Sequence, residues 1–399
     1  MITDKKAVGR LTVLFVMLYC VSYITRTNYG AIVAELESAL GHGKTALSMA
    51  LTGSFVTYGL GQILSGLLGD RISPKKLISL GLMVTVLMNV LLPFFSHPIL
   101  MLVIWCINGF AQAFMWPPII KLLSGLLSGD DYTRVSVKVS WGSSIGTIIV
   151  YLVSPLLISL LSWRAVFWFS AACGIVMLLV WHRIGPDLTI AAPIQKEKSK
   201  ASFFHPVLPA VMLGIILQGM LRDGVTTWMP SLINETYDLG TTVAILSGVI
   251  LPIFSIVCHH VSGRMYLKIK NPLLCGGLVF GVGALAGALL IPVTGHHALL
   301  SILCCAVLTG CMHGVNVMLI CMIPPFFKHT GRVSTVSGLL NACTYVGSAL
   351  STYGVALLSE QFDWSVTLWV WLGIAVMGTL VCLCTVKPWE RFVKENIPD

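Results

Sequence analysis

From Leu11 to Cys384 the chain is a succession of apolar runs, each about 20 residues long, divided by short polar joints. That is the length at which a helix crosses the hydrocarbon core of a bilayer. Read as helices, the runs place spans at about 11–33, 48–68, 77–95, 98–123, 134–161, 164–183, 205–234, 240–263, 272–293, 297–323, 332–358 and 364–385. The pattern predicts an all-α membrane protein of twelve transmembrane helices, with no room between them for a soluble domain. Composition agrees, with 56% hydrophobic and 10% charged residues.

The polar joints are asymmetric. Of the 25 Lys and Arg residues, 21 fall on the side that also carries both termini. Lys44 and Arg164 alone fall on the opposite side, and Arg26 and Arg222 lie inside spans. By the positive-inside rule both termini are expected in the cytosol of a cell-membrane protein. The same distribution accounts for the net charge of +9 without any nucleic-acid partner. The basic start, Lys5 to Arg10, is followed by an apolar run that continues past Ile24 without a small-residue cleavage site, so the first helix is expected to remain in the protein.

The longest joint, Gly185 to Ser202, contains Pro186, Pro193 and the basic run Lys196 to Lys200. It predicts a six-helix bundle over 1–184, a cytosolic linker over 185–203 and a second six-helix bundle over 204–399 that ends in a short cytosolic tail. Internal repetition supports two related halves. Met115-Trp-Pro-Pro-Ile-Ile-Lys121 recurs as Met322-Ile-Pro-Pro-Phe-Phe-Lys328, Arg134-Val-Ser136 as Arg332-Val-Ser334, and Trp163 with Trp168 as Trp364 with Trp369, each about 200 residues on.

An arginine inside a span costs about 2.5–3.5 kcal/mol on insertion scales, so Arg26 and Arg222 call for a role. Their separation nearly matches the repeat, which predicts that they face each other across the pseudo-twofold axis near the bilayer midplane. A guanidinium offers a planar fork of donors matched to phosphate or carboxylate oxygens. Tyr19, Tyr23 and Arg26 share one helix face, Tyr58 and Gln62 another, and Gln218, Arg222 and Thr226 a third. Asp223, roughly 100° around the helix from Arg222, is expected to make an interhelical pair. His313 and Asn316 form a further polar spot, either core or substrate-binding. His259-His260 and His296-His297 read as interfacial pairs with no third ligand at metal spacing. The stripe Asn341, Thr344, Tyr345 and Ser348 suits cavity or packing equally.

The 12 cysteines fall inside spans with no CxxC spacing, as apolar packing residues. There is no nucleophile elbow, HExxH or phosphate-cradling loop with its lysine, so no enzyme, metal or cofactor is expected.

Gly69-Asp-Arg-Ile-Ser-Pro-Lys-Lys76, with its weaker echo Gly263-Arg-Met-Tyr-Leu-Lys268, resembles the loop signature of the major facilitator superfamily. Tyr19-Cys-Val-Ser-Tyr23-Ile-Thr-Arg26-Thr-Asn28, then Trp116-Pro117-Pro118, and Leu221-Arg222-Asp223-Gly224 with Trp228 and Pro230 resemble the organophosphate:phosphate antiporters, which include glycerol-3-phosphate and hexose-phosphate transporters. The resemblance implies two rocking bundles, exchange of a small anion by alternating access, and ligands at Arg26 and Arg222. Members of the glycerol-3-phosphate type carry a lysine where Gln62 stands and a histidine in the fifth helix, where this chain has Trp141 to Thr147. A carboxylate carrier therefore stands as the alternative, and a membrane sensor of a phosphorylated sugar as a reading of another class. A monomer is expected.

A cysteine placed at Lys198 in a cysteine-free background tests the orientation. It should resist an impermeant thiol reagent added to intact cells and react after permeabilisation. Labelling from outside would invert the topology.

Overall fold

The computed structural model describes residues 2, 4–42, 44–187, 207–239, 247–361 and 363–396. The basic run Lys196 to Lys200 and the start of the expected 240–263 span lie outside them. The described helices are α1 (Lys5–Ala31), α2 (Val33–Leu40), α3 (Lys44–Gly69), α4 (Pro74–Leu91), α5 (Pro98–Gln112), α6 (Trp116–Leu126), α7 (Gly129–Leu160), α8 (Trp163–Ile184), α9 (Val207–Tyr237), α10 (Ile250–Ile269), α11 (Pro272–Val293), α12 (Ala298–Asn316), α13 (Val333–Gln361) and α14 (Trp364–Asn396). No strand occurs among the described residues.

Counting α5 and α6 as one broken span and setting aside the two-turn α2, these are the twelve expected crossings. Nine are long and apolar enough to cross a membrane by length and composition. The other three, α3, α10 and α13, carry more polar side chains, including Gln62 and Ser65, His259 and Ser262, and Ser337 and Thr344. Several starts are set locally: Asp4, Ser73 and Asn271 accept from backbone N–H groups of the first turn, and Pro74, Pro98 and Pro272 supply a fixed φ where no amide is needed.

The fourth and tenth spans are not continuous as expected. α5 stops at Gln112 and α6 restarts at Trp116 with Pro117 and Pro118 in its first turn. α12 stops at Asn316, passes through a π turn, Val317–Cys321, and enters a 3-10 segment, Pro324–Thr330. A Pro-Pro pair cannot donate the amides that an uninterrupted helix needs, so both copies of the repeated motif break the helix that carries them. At the other end, the expected tail is a continuation of α14 to Asn396, because Trp389 and Phe392 bury themselves against Phe326 and Phe327.

The chain divides into two compact units, Met1–Gln195 with Gly331–Ala342 and Lys196–Thr330 with Cys343–Asp399. In the first, α1 packs on α7 and α8, and α3 on α5. In the second, α9 packs on α12 and α14, and α10 on α12. Small residues permit the close approaches. A Cβ at Gly146 of α7 would fall on the Cys20 carbonyl of α1, and one at Gly347 of α13 on the Ile216 carbonyl of α9.

Within the first unit, buried amides and hydroxyls fix α1. Asn28 donates to Asn89 Oδ1 at 2.7 Å and Ser170 Oγ at 2.9 Å. Asn89 and Asn108 donate to the Thr25 carbonyl, Gln112 donates to Thr25 Oγ1, and Ser22 donates to Gln112 Oε1 at 2.6 Å. One turn of α1 is thereby tied to α4, α5 and α8 at the level of Arg26. The first unit also contains the start of α13, which Asp70 caps through the Ser334 and Thr335 amides at 3.0 and 2.8 Å, with Lys121 Nζ 3.8 Å away. Burial pushes the Asp70 carboxyl up from its ordinary value, against the opposing pull of these hydrogen bonds and of Lys121.

Asn28→Ala should cost about 1–2 kcal/mol, because Asn89 and Ser170 lose a buried partner. The check is a lower thermal midpoint in detergent, beside Val13→Ala on the 58% exposed outer face of α1. Equal midpoints for the two variants would deny the network that role.

Candidate functional site

Each unit holds one of the two intramembrane arginines. In the first, α1 carries Tyr19, Tyr23 and Arg26 on the expected face, and the structure brings them together with Tyr58 of α3. The Arg26 guanidinium lies over the Tyr23 ring at 4.4 Å and over the Tyr58 ring at 4.6 Å. Tyr23 is braced edge-on by Tyr19 at 5.2 Å, and Tyr19 lies against Trp116 of the Trp-Pro-Pro break at 4.7 Å. Cation–π contact uses the faces of a guanidinium, whereas hydrogen bonds to an anion use its edge, so the aromatic setting is compatible with ligand binding. Tyr58 is buried, while Tyr19, Tyr23 and Arg26 are half-buried.

Gln62 does not join this group through a visible contact. It is wholly buried and donates its Nε2 to the Ala113 carbonyl, at 3.4 Å, while its Oε1 has no hydrogen-bond partner among the described residues. Its position ties α3 to the turn between α5 and α6.

In the second unit, Asp223 makes the expected interhelical contact and also a pairing that was not expected. Its carboxylate takes both arms of the neighbouring Arg222, from Nε at 2.7 Å and from the terminal nitrogen at 2.8 Å. The 100° offset holds for the backbone directions, but an arginine side chain is long enough to curl around the helix and close the pair. The interhelical contact is made as well, since Ser348 of α13 donates to the same carboxylate. The side chains of Arg222 and Asp223 are 13% and 31% exposed, so neither is sealed off. Gln218, one turn earlier, is wholly buried and donates to the Met312 carbonyl at 3.1 Å, which anchors α9 on α12. Thr226 donates back to the Arg222 carbonyl.

His313 is half-buried on α12, and Asn316 is half-buried where the π turn begins. The reading of His259 as interfacial is corrected: it is 2% exposed and meets His313 edge to face, with ring centroids 5.4 Å apart. The expected span ended near it, whereas α10 runs to Ile269 and puts His259 at its middle. His296 and His297 are exposed where α12 begins. Among the described residues no three metal-type ligands converge.

The sequence model of the Major Facilitator Superfamily matches residues 15–352. The chain is 22% identical to a glycerol-3-phosphate transporter of Bacillus subtilis over 87% of its own length and 85% of that protein. It is equally 22% identical to the membrane sensor protein UhpC of Salmonella typhimurium, over 87% of this chain and 84% of that one. Its fold is that of the proton:xylose symporter XylE, with a TM-score of 0.77 at 11% identity, covering 96% of this chain and 97% of that one. Twelve crossings, a repeated six-helix plan and these likenesses agree: the chain belongs to the Major Facilitator Superfamily, whose members are multi-pass membrane transporters and not enzymes.

Proposed function

We propose that this protein exchanges small organophosphate anions across the cell membrane by alternating access, with Arg26 and Arg222 as its two cationic ligands. The observation that carries the reading is the Arg26 setting. A guanidinium at membrane depth is held over Tyr23 and Tyr58 on a helix that a buried amide network fixes in place. That is the preorganisation an anion site needs, and it is expensive to maintain without a ligand to serve. Similarity to a glycerol-3-phosphate transporter over most of both chains supports phosphate ester as the anion class. Tyr19, Tyr23, Tyr58, His313 and Asn316 supply ring faces and polar groups near the arginines, while Gln62 and Gln218 position the helices. The bias of basic residues supports cytosolic termini, and two six-helix halves in one chain support a monomeric carrier.

A second reading has an observation of its own: the sensor UhpC is as similar, over an equal share of this chain, as the transporter is. Proteoliposomes loaded with inorganic phosphate separate the two. A carrier takes up radiolabelled glycerol 3-phosphate in exchange for internal phosphate. A protein that binds the ester in detergent yet shows no flux is a sensor. Preference for a sugar acid over the matching sugar phosphate would move the substrate to carboxylates.

Arg26→Lys and Arg222→Lys should each weaken glycerol 3-phosphate binding on the order of tenfold to a hundredfold. Lysine keeps the charge but loses the fork, and a charge-assisted hydrogen bond contributes about 1.5–3 kcal/mol. Near-normal affinity in both folded variants would remove the pair from the site.

Gln62→Lys places a cation at a wholly buried position whose present amide bonds to Ala113. It should lower thermal stability and leave the ratio of sugar-phosphate to sugar-acid inhibition unchanged. A shifted ratio at wild-type stability would instead put residue 62 in contact with the ligand.

A further inference from the structure

In the second unit, three helices bring titratable groups into one cluster and a fourth adds a hydroxyl. α9 contributes Arg222 and Asp223, joined through two donors at 2.7 and 2.8 Å. α13 contributes the Ser348 hydroxyl on the same carboxylate. α12 contributes His313, and α10 contributes His259, edge-on to it at 5.4 Å. Both rings lie within electrostatic reach of Arg222, and His313 also of Asp223. The Cys258 and Cys311 thiols hydrogen-bond to each other between α10 and α12, and the one titratable side chain of α11 is Cys275. His259 is 2% exposed, and its Nδ1 has no hydrogen-bond partner among the described residues. It is a buried nitrogen with capacity to spare, against His313, which lies within electrostatic reach of a carboxylate whose partner can be taken away.

Asp223 occupies two of the five N–H groups of Arg222, so an anion displaces Asp223 when it takes the Nε edge of the guanidinium, because the same two N–H groups cannot serve both acceptors. The displaced carboxylate, 31% exposed, then keeps the Ser348 hydroxyl as its partner, so a cation close to it is favoured. We propose that the His259–His313 pair takes up one proton when an anion displaces Asp223 from Arg222, so that an imidazolium replaces the guanidinium as the carboxylate's partner. This inference rests on the reading of Arg222 as an anion ligand. The proton leaves bulk water and forms one N–H bond on an imidazole nitrogen, and no other bond is made or broken covalently. Before binding, Arg222 and Asp223 neutralise each other. After binding, Arg222 faces the anion and the protonated pair faces Asp223, so each carboxylate or phosphate charge keeps a cation beside it. Because linkage is reciprocal, protonating the pair strengthens anion binding by the same factor. Affinity for an anion of fixed charge therefore rises as pH falls through the titration of the pair.

Titration calorimetry on the purified wild-type protein reads this directly. Glycerol 3-phosphate is injected at about pH 7.5, above the phosphate's second pKa of about 6, in two buffers of different ionisation enthalpy. The difference in heat counts the protons exchanged, and the ester's own small contribution follows from its pKa. Uptake of about one proton per bound anion is expected, as reciprocal linkage requires. His259→Gln, which leaves every proposed anion ligand in place, should abolish the uptake in protein that still binds. Asp223→Asn should abolish it as well and tighten binding, since the internal competitor is gone. Binding by the wild type with no proton uptake would overturn the coupling and leave the anion site standing. Absence of binding would overturn the anion reading of Arg222, and the coupling with it.

Discussion

A polar group that a helix carries into the bilayer has no water to turn to, and the structure follows from that constraint. In the first unit, Asn28 donates to Asn89 and Ser170, and Asn89, Asn108 and Gln112 donate to Thr25. In the second, Asp223 satisfies Arg222 and Ser348. Each network also fixes geometry. The first holds the turn of α1 that presents Arg26 to Tyr23 and Tyr58. The second holds Arg222 to its own helix and ties α9 to α13. Because no hydrophobic force draws one helix to another in lipid, such bonds and the close contacts at Gly146 and Gly347 give the bundles their specificity.

The repeat carries this logic through both halves. The Pro-Pro motif interrupts α5–α6 in one copy and sends α12 into a π turn in the other, so each half contains one broken span. In the first half the break places Trp116 against Tyr19, which in turn braces the Tyr23 ring beneath Arg26. In the second, His313 and Asn316 sit at the last turn before the π segment. A helix that ends inside the bilayer offers irregular backbone and mobile side chains at that depth, and such places in transporters are where ligands meet the protein.

Much of this was legible from residue order. Twelve apolar runs, the one-sided distribution of Lys and Arg, and three motifs repeated in step determined the fold class before any coordinates. The two arginines stood out because a charge inside a span is costly and their separation matches the repeat. What escaped were features that depend on side-chain length and on exact helix limits. Arg222 and Asp223 point apart as backbone vectors, yet a four-bond arginine stem closes the distance. His259 seemed to lie at a membrane surface because its span was expected to end at 263, whereas α10 runs on to Ile269. The partners of Asn28 were scattered as single polar residues in apolar runs, and a lone Asn in such a run has no signal of its own until the helices are packed. Gln62 shared a face with Tyr58 by periodicity, but burial against Ala113 takes it out of view of the ring.

For the exchanger proposed above, the internal pairing of Arg222 would change the physics of exchange. In that proposal, two bare arginines would leave the empty carrier with two uncompensated charges in the membrane, and only an anion-loaded carrier would reorient readily. With Asp223 in the Arg222 fork, that arginine contributes no net charge, and the empty carrier bears a smaller electrostatic penalty. Strictness of exchange then depends on how well Asp223 substitutes for the substrate. A carboxylate on the same helix can satisfy Arg222 without reaching any other element except through Ser348, whereas a free anion can accept from several helices at once. The pair thus stabilises the empty site locally without supplying the bridging contacts that draw helices together. A device of this kind keeps a buried arginine tolerable between turnovers while reserving the larger conformational drive for the ligand. It also serves a sensor as well as a carrier, because both need an empty state that is quiet and a loaded state that differs from it.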